Sequence, residues 1–218
     1  MPPILDIPGR AALTAGKLIC VGRNYAAHAA EMGNDVPESP MIFLKPASAI
    51  TPDGSDIVIP ERSSDVHHEI ELVAAIGLGG KDIREANARD HVAGYAVGLD
   101  MTARDIQASA KKEGHPWTVA KGFDTFAPLG MFVPARAVLD PQSLKLRLEV
   151  NGEVRQEGRT SDMLFPVAQL VAFCSSIMTL EPGDLIYTGT PEGVGPVVPG
   201  DILEASITGL PTLKVGVR

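Results

Sequence analysis

The alternation of acidic and apolar residues from Asp65 to Leu72 is the feature that most constrains the fold of this 218-residue chain. Side chains of a β-strand point alternately to its two faces. Ile70 and Leu72 are therefore predicted to face the core, while Glu69 and Glu71 share the other face, roughly 6–7 Å apart. Two like charges on a half-buried face are costly to desolvate, and Mg²⁺ or Mn²⁺, which prefer oxygen ligands, would offset that cost. The alternative is an exposed strand edge with two solvated carboxylates.

A third acidic residue is predicted at the end of a second strand. The apolar run from Val92 to Leu99 indicates a buried strand, and its glycines permit close approach of another backbone. Asp100 follows directly and is therefore a third candidate metal ligand. The alternative is that Asp100 caps the helix that comes next.

That helix is predicted over residues 101–112 and carries two polar side chains on one face near its start. Arg104 and Gln107 are three residues apart, and both can bind a carboxylate or a carbonyl group. Further along, Lys121 stands in an apolar segment next to a glycine, which makes it a candidate substrate clamp. The alternatives are two polar surface residues and a lysine whose apolar stem lies along the surface.

A short helix predicted over residues 23–33 brings an imidazole next to a carboxylate. Asn24 can cap this helix, and His28 and Glu31 then lie on the same face, three residues apart. A carboxylate beside an imidazole holds its tautomer and raises its basicity, so this pair is a candidate general base. A solvent-exposed pair without a catalytic role is the alternative.

A glycine-rich loop is predicted over residues 188–195, after a short strand. Such a loop can present backbone N–H groups and the Thr190 hydroxyl to an anion. It lacks the lysine and the spacing of a P-loop, so no nucleotide site is predicted.

The abundance of glycine (22) and proline (18) favours many short strands and turns over long helices. Asn151-Gly152, between two alternating segments, predicts a β-hairpin. The clearest amphipathic helix is predicted over residues 166–178, with Pro166 as its first helical residue and an apolar stripe that faces the core.

Charge and cysteine content limit the classes of partner and compartment. The formal net charge of −8 argues against binding to a nucleic-acid backbone or to an anionic membrane surface. No signal peptide and no membrane-spanning segment is predicted, so the expected location is the cytoplasm. Cys20 and Cys174 are predicted to be buried thiols in a reducing compartment.

Five segments occur in an order that is similar to a known family. They are Val21–Tyr25, Phe43–Pro46, His67–Glu71, Gly98–Asp105 and Tyr187–Pro191. Together they resemble the fumarylacetoacetate hydrolase family, and most closely its short branch of acylpyruvases and oxaloacetate decarboxylase-like proteins. The similarity runs from about Lys17 to the C-terminus.

The resemblance implies a β-rich α+β fold, a mixed β-roll with a few covering helices. Residues 1–16 would be an N-terminal extension, and residues 17–218 a single catalytic domain. Members of the family are usually homodimers, so a homodimer is expected.

The resemblance also implies the identity of the metal site and of the catalytic dyad. Mg²⁺ or Mn²⁺ would be bound by Glu69, Glu71 and Asp100. His28 and Glu31 would form the dyad, on a short helix that can close over the site as a lid.

The reaction implied is hydrolytic cleavage of a C–C bond in a β-diketo acid, such as an acylpyruvate or fumarylpyruvate, to pyruvate and a carboxylic acid. His28 would activate water, and Lys121 would stabilise the charge of the departing enolate. The positions that match substrate-binding residues of the family are Arg23, Arg104, Gln107 and Thr190.

Other activities remain open on the same site. Oxaloacetate decarboxylation and isomerisation of 2-hydroxyhepta-2,4-diene-1,7-dioate use related chemistry, and fold does not decide between them. A non-catalytic binder of metal or keto acid is the alternative from a different class. In every case the expected partner is a small anionic keto acid. Binding to nucleic acid or to a membrane is not expected.

Overall fold

The structure is a computed structural model that describes residues 3–218. Its strands are β1 (Ile4–Leu5), β2 (Leu13–Thr14), β3 (Leu18–Gly22), β4 (Met41–Lys45), β5 (Ile50–Pro52), β6 (Asp56–Ile57), β7 (Val66–His68), β8 (Ile70–Ile76), β9 (Val92–Leu99), β10 (Thr102–Ala103), β11 (Ala127–Leu129), β12 (Val133–Pro134), β13 (Lys145–Val150), β14 (Glu153–Arg159), β15 (Leu185–Tyr187), β16 (Gly195–Pro196), β17 (Ile202–Ile207) and β18 (Leu213–Val217).

The helices are fewer and shorter than the strands. The α-helices are α1 (Ala26–Glu31), α2 (Arg104–Glu113), α3 (Thr118–Lys121) and α4 (Val167–Ile177). Short 3₁₀ turns cover Ala47–Ala49, Glu85–His91, Ala135–Ala137 and Thr160–Asp162. Within residues 3–218, no helix is long and apolar enough to cross a membrane.

Two sheets pack face to face and form the body of the protein. The larger sheet has the strand order β4-β3-β15-β8-β9-β11-β5, with β12 also paired to β9. The smaller has the order β14-β13-β17-β18-β6, and its strands β13 and β17 contact β8 and β9. A short third sheet, β10-β7-β16, adjoins them. The result is the predicted β-rich roll with a few covering helices.

Strand β8 is buried on both faces, which explains its continuous apolar sequence. Leu72 and Ala74 pack into the main core, together with Leu148 from the smaller sheet. Val73 belongs to a second core cluster on the opposite face, together with Leu5 of the N-terminal segment. Residues 3–16 thus cover one face of the large sheet, with β1 and β2 paired as a two-stranded ribbon.

The predicted continuous strand over Asp65–Leu72 is interrupted in the structure. The chain leaves the short sheet at the end of β7 and enters the large sheet at the start of β8, and Glu69 is the residue between them. The face that Glu69 and Glu71 share was expected to be half-buried, but it is almost fully buried. The two residues are only 5% and 1% exposed.

The predicted helices are shorter than expected at their starts. The helix predicted over residues 101–112 begins at Arg104, because residues 102–103 form β10 and pair with β7. The helix predicted over residues 23–33 is confined to α1. Asn24 does not cap it, since this buried amide bonds to the chain around Thr188 and Phe165. Pro166 precedes the first helical residue of α4 and occupies its N-cap position.

Other local predictions are confirmed. Asn151 and Gly152 join β13 to β14 with φ of 53° and 79°, the positive pair that a two-residue type I′ hairpin requires. Cys20 and Cys174 are buried free thiols.

Candidate active site

Strand pairing brings three acidic side chains together. Ile70 pairs with Leu99 across the antiparallel β8–β9 ladder, and the N–H of Asp100 donates a 2.8 Å hydrogen bond to the carbonyl oxygen of Glu69. Glu69 and Asp100 therefore face each other where the two strands leave the sheet. One carboxylate oxygen each from Glu69, Glu71 and Asp100 lies within 4.8 Å of the others.

The burial of this acidic cluster makes its charge state depend on neighbouring cations. Burial raises the pKa of Glu71 well above its usual range, and the nearby Asp100 and Glu69 raise it further. Burial acts in the same direction on Glu69, but Lys121 and Arg104 outweigh it and hold the pKa of Glu69 well below its usual range. Glu71 is thus the member of the cluster whose charge is least compensated by the protein.

Two buried lysines flank the cluster. Nζ of Lys121 lies 2.9 Å from Oε2 of Glu69 and 2.7 Å from Oδ2 of Asp100. Burial alone would lower the pKa of Lys121, but the two carboxylates outweigh it and raise the pKa, so this lysine is charged. Nζ of Lys45 lies 2.5 Å from Oδ1 of Asp100 and donates to the carbonyl oxygen of Met101 at 3.0 Å.

Sequence reasoning did not single out Lys45 as a site residue. Its one sequence signal is its position in the Phe43–Pro46 segment, at the end of the otherwise apolar β4. Its burial, 1% exposed, depends on where β4 ends relative to Asp100.

The acidic cluster fits a divalent cation. Glu71 forms no ion pair within residues 3–218, and its hydrogen bond comes from the backbone N–H of Gly189 at 2.7 Å. Three carboxylates so close together repel one another in a medium of low dielectric, and a bound cation removes that repulsion. Because all the donors are hard oxygens, the set suits Mg²⁺ or Mn²⁺. Glu69, Glu71 and Asp100 are the residues that would hold the ion.

The predicted dyad is formed on α1. Nδ1 of His28 lies 3.2 Å from Oε2 of Glu31, and His28 is buried while Glu31 is exposed at the rim. Oε1 of Glu31 accepts a 3.0 Å hydrogen bond from the N–H of Gly193 in the glycine-rich loop. With Nδ1 directed to the carboxylate, Nε2 is the ring nitrogen left for a ligand in the pocket.

Helix α2 contributes the guanidinium and the amide that were predicted. Nη2 of Arg104 donates to Oε1 of Glu69 at 2.5 Å, and Nη1 donates to Oε1 of the buried Gln107 at 2.8 Å. Arg104 therefore connects the acidic cluster to the start of α2 and holds the amide of Gln107 in place.

The glycine-rich loop presents a backbone N–H to an anion, as its composition predicted. The anion here is Glu71 of the same chain, which accepts from Gly189. Gly189 has φ of 93°, and a Cβ at this position would lie 2.7 Å from Cβ of Asn24, so both its conformation and its surroundings require glycine. Thr190 is buried, and its hydroxyl accepts from Nε2 of Gln156 at 2.9 Å.

Gln156 is a second residue that sequence reasoning missed. Its Oε1 accepts from Nδ1 of His68 at 3.1 Å and from the N–H of Ile70 at 3.0 Å, on either side of Glu69. Its Nε2 donates to Thr190 and to the carbonyl oxygen of Pro191. One buried amide on β14 thus holds two parts of the site in place. These are the junction between β7 and β8, where Glu69 lies, and the glycine-rich loop that contains Thr190. Its neighbours Arg155 and Glu157 are charged and exposed, so the local sequence gives no signal of a buried amide with this role.

The structure places the predicted site residues around one narrow pocket. All of them line it except Glu31, which contacts the pocket through His28. Arg23 lines it from the turn between β3 and α1, and Trp117 closes another wall, where its ring packs edge-on against Phe43. Trp117 therefore both packs against Phe43 and lines the pocket.

Comparison with known proteins gives a family and several relatives. The family model described as fumarylacetoacetate (FAA) hydrolase C-terminal matches residues 17–218. A protein of Arabidopsis thaliana named oxaloacetate tautomerase FAHD1, mitochondrial, is 55% identical over 202 residues, which are 93% of this chain and 91% of that protein. A protein of Dictyostelium discoideum named oxaloacetate decarboxylase, mitochondrial, is 50% identical over 200 residues, 91% of this chain and 92% of the relative.

Among solved structures, the chain is similar to fumarylpyruvate hydrolase from Pseudomonas aeruginosa, which was determined in complex with Mn²⁺ and pyruvate. The TM-score is 0.94 at 45% sequence identity, and the match covers 99% of this chain and 95% of that one. The predicted fold and the predicted branch of relatives are therefore confirmed.

Proposed function

The chain belongs to the fumarylacetoacetate hydrolase family, and from this we propose that it is a divalent-metal-dependent enzyme that cleaves the C–C bond of an acylpyruvate by hydrolysis. The observation that carries the proposal is the pair formed by His28 and Glu31, which places an oriented imidazole in the same pocket as three clustered carboxylates. The products would be pyruvate and the carboxylic acid of the acyl group.

His28 and Glu31 can move the proton that hydrolysis requires. In the neutral imidazole of His28, the tautomer that donates Nδ1–H to Glu31 has its lone pair on Nε2, which can take a proton from water as a general base. The hydroxide adds to the distal carbonyl carbon of the substrate. The bond between that carbon and the methylene group then breaks, and its electron pair passes to the 2-oxo group as the enolate of pyruvate. Proton transfer to the methylene carbon gives pyruvate.

Charge on the enolate would develop beside the acidic cluster, where Lys121 also lies. A divalent ion held by the acidic cluster would supply Lewis-acid stabilisation of negative charge on the 2-oxo acid group. Lys121 is charged and lies within 2.9 Å of both Glu69 and Asp100, so its ammonium group favours a growing negative charge beside them. Arg104 and Gln107 hold the substrate in line for the attack.

A second candidate function is tautomerisation or decarboxylation of oxaloacetate. It is favoured by the names of the relatives that are 50–55% identical to this chain. Both reactions use the enolate of a 2-oxo acid, but neither needs water to attack a carbonyl carbon. In this case the dyad would move a proton to or from the carbon next to the 2-oxo group.

The test is a substrate comparison with purified protein and either Mg²⁺ or Mn²⁺. Pyruvate release is measured from acetylpyruvate, fumarylpyruvate and oxaloacetate, and the decay of enol-oxaloacetate absorbance is followed separately. We expect pyruvate from an acylpyruvate, loss of this activity in His28→Ala and on removal of the metal with EDTA, and full activity in the exposed control His115→Ala.

The other outcomes separate the alternatives. Enol decay without cleavage of any acylpyruvate would replace the hydrolase with the tautomerase, and pyruvate from oxaloacetate alone would replace it with the decarboxylase. A protein that binds Mn²⁺ but turns over none of these substrates would be a binder. Full activity in His28→Ala would remove the dyad from the mechanism.

A further inference from the structure

The large sheet closes on itself where Lys45 stands. Strands β4 and β5 are the two opposite edges of this sheet, yet only residues 46–49 separate them in the chain. Seven strands side by side in a flat sheet would hold these edges about 29 Å apart, whereas the chain from β4 to β5 can span at most about 18 Å. The sheet must therefore curl until its edges approach each other, and Lys45, the last residue of β4, lies at this closure.

The buried ammonium group of Lys45 connects three strand ends at the closure. It donates to the carbonyl oxygen of Met101, which follows β9, and to that of Phe126, which precedes β11. It also lies 2.5 Å from Oδ1 of Asp100. An ammonium group has three protons and no acceptor, and this one has three oxygen atoms within reach. Lys45 thus joins the edge strand β4 to the segments on either side of the acidic cluster.

Asp100 has an ammonium group at each of its two carboxylate oxygens. Oδ2 lies 2.7 Å from Nζ of Lys121, and Oδ1 faces Lys45. Lys121 also contacts Glu69, whereas Asp100 is the only carboxylate that pairs with Lys45 within residues 3–218. The χ2 torsion of an aspartate is otherwise broadly distributed, so a partner at each oxygen restricts the carboxylate to one orientation.

We propose that Lys45 is a positioning residue of the metal site, which holds Asp100 turned towards Glu69 and Glu71 before a cation binds. The proposal rests on the proposed function, because that function requires the acidic cluster to bind a divalent cation. The alternative is that Lys45 only compensates negative charge. Loss of the lysine then has opposite effects on cation affinity in the two cases. A poorly oriented ligand binds a cation less tightly, while removal of a neighbouring positive charge makes the cation bind more tightly.

Lys45→Met removes the ammonium group and keeps an unbranched apolar side chain. We expect its Mn²⁺ affinity, measured from free Mn²⁺ by electron paramagnetic resonance, to fall by about tenfold to a hundredfold. Equal or tighter binding would overturn the proposal. Lys17→Met is the matched control, because Lys17 lies 2.5 Å from the buried Asp184 and neither residue lines the pocket. This control should lose stability and bind Mn²⁺ as wild type does.

A double-mutant cycle tests whether Lys45 acts through Asp100. In an Asp100→Asn background, Lys45→Met should cause no further loss of Mn²⁺ affinity, because the carboxylate that the lysine positions is already absent. A further loss of about tenfold would show that Lys45 affects the site by another route, and the proposal would be wrong.

The same cycle remains decisive if Lys45→Met fails to fold. Its loss of stability would come from the buried carboxylate of Asp100, which has lost one of its two cations. Asp100→Asn should therefore restore folding in the Lys45→Met background and destabilise the otherwise wild-type protein, as measured by urea unfolding without metal. A double variant that is no more stable than Lys45→Met would show that Lys45 serves the carbonyl groups of Met101 and Phe126 instead.

This proposal and the proposed function fail on different results. If the wild-type protein binds Mn²⁺ but turns over none of the keto acids, the enzymatic function fails, and the affinities still decide the role of Lys45. If the protein cleaves an acylpyruvate and Lys45→Met binds Mn²⁺ as tightly as wild type, the positioning role is wrong and the enzymatic function stands. A wild-type protein that binds no Mn²⁺ would overturn both.

Discussion

The backbone N–H of Gly193 donates a 3.0 Å hydrogen bond to Oε1 of Glu31, across 162 residues of sequence. The other oxygen of the same carboxylate lies 3.2 Å from Nδ1 of His28. The glycine-rich loop is therefore joined to α1 through the residue that orients the imidazole. Gly193 has φ of 89°, and a Cβ at this position would clash with the carbonyl oxygen of Arg155, so β14 fixes the loop from its other side.

Glu31→Gln should remove the charge of this side chain while keeping its position. The amide oxygen can still accept from Gly193, but the neutral side chain no longer stabilises a protonated imidazole. We expect kcat to fall by about tenfold to a hundredfold, with KM nearly unchanged. Steady-state kinetics of the variant and of the exposed control Glu38→Gln test this. An unchanged kcat would show that the charge of Glu31 is not needed.

Glu71→Gln should weaken metal binding without weakening the fold. Glu71 is the carboxylate of the cluster that the protein's own cations compensate least, so removing its charge relieves repulsion with Glu69 and Asp100. We expect Mn²⁺ affinity to fall by about tenfold or more, while urea unfolding of the metal-free protein shows equal or greater stability. Glu61→Gln, at an exposed position, should change neither quantity. A large loss of stability in Glu71→Gln would contradict this description.

Gly189→Ala and Gly209→Ala form a matched pair. Both glycines have positive φ, at 93° and 81°, so both substitutions should cost about 1–2 kcal/mol in backbone strain. Only at Gly189 would the new Cβ also lie against Asn24 and displace the N–H that bonds to Glu71. Calorimetric titration should therefore show weaker Mn²⁺ binding in Gly189→Ala alone. Equal affinity in the two variants would mean that this N–H does not position Glu71.

Gln156→Leu should be strongly destabilising. It leaves Nδ1 of His68, the N–H of Ile70 and the hydroxyl of Thr190 without their partner in a buried setting. Each unsatisfied buried polar group costs about 1–3 kcal/mol, so a loss of about 3 kcal/mol or more is expected in urea unfolding. Glu157→Leu, on the exposed face of the same strand, should stay within about 0.5 kcal/mol of wild type.

Asp105 should make stability depend on acidity. Burial would raise the pKa of Asp105, but hydrogen bonds from Ser63, Ser64 and the N–H of Ile106 outweigh it and hold the pKa below its ordinary value. The folded protein thus binds this proton more weakly than the unfolded chain. The contribution is complete above the ordinary pKa of about 4 and is lost as the pH falls through the lowered value.

Asp105→Asn should accordingly lower the free energy of unfolding at pH 7 and flatten its decline below about pH 4. Urea unfolding over a series of pH values measures both effects. Asp124→Asn, at an exposed position, is the control. A variant that declines with acidity as steeply as wild type would show that Asp105 does not contribute this dependence.

Local patterns in the sequence were sufficient wherever a structural property depends on neighbouring residues. The two-residue period of a strand places Glu69 and Glu71 on the same side, and this remains true although the chain changes sheets at Glu69. The three-residue spacing of His28 and Glu31 was likewise enough to predict their contact on a helix. Asn-Gly favours a type I′ hairpin turn, and this turn requires the positive φ that Asn151 and Gly152 have.

The tertiary structure decided which distant groups share the pocket. Asp100 meets Glu69 because β8 and β9 pair in one particular register, and a shift by one residue would turn its side chain to the other face. Lys45 and Gln156 reach the site from β4 and β14 of two different sheets. Apart from the Phe43–Pro46 segment that contains Lys45, no local pattern marks either of them as a site residue. Such contacts depend on how buried surfaces pack, which is a property of the whole chain, whereas the period of a strand or helix is set by a few consecutive residues.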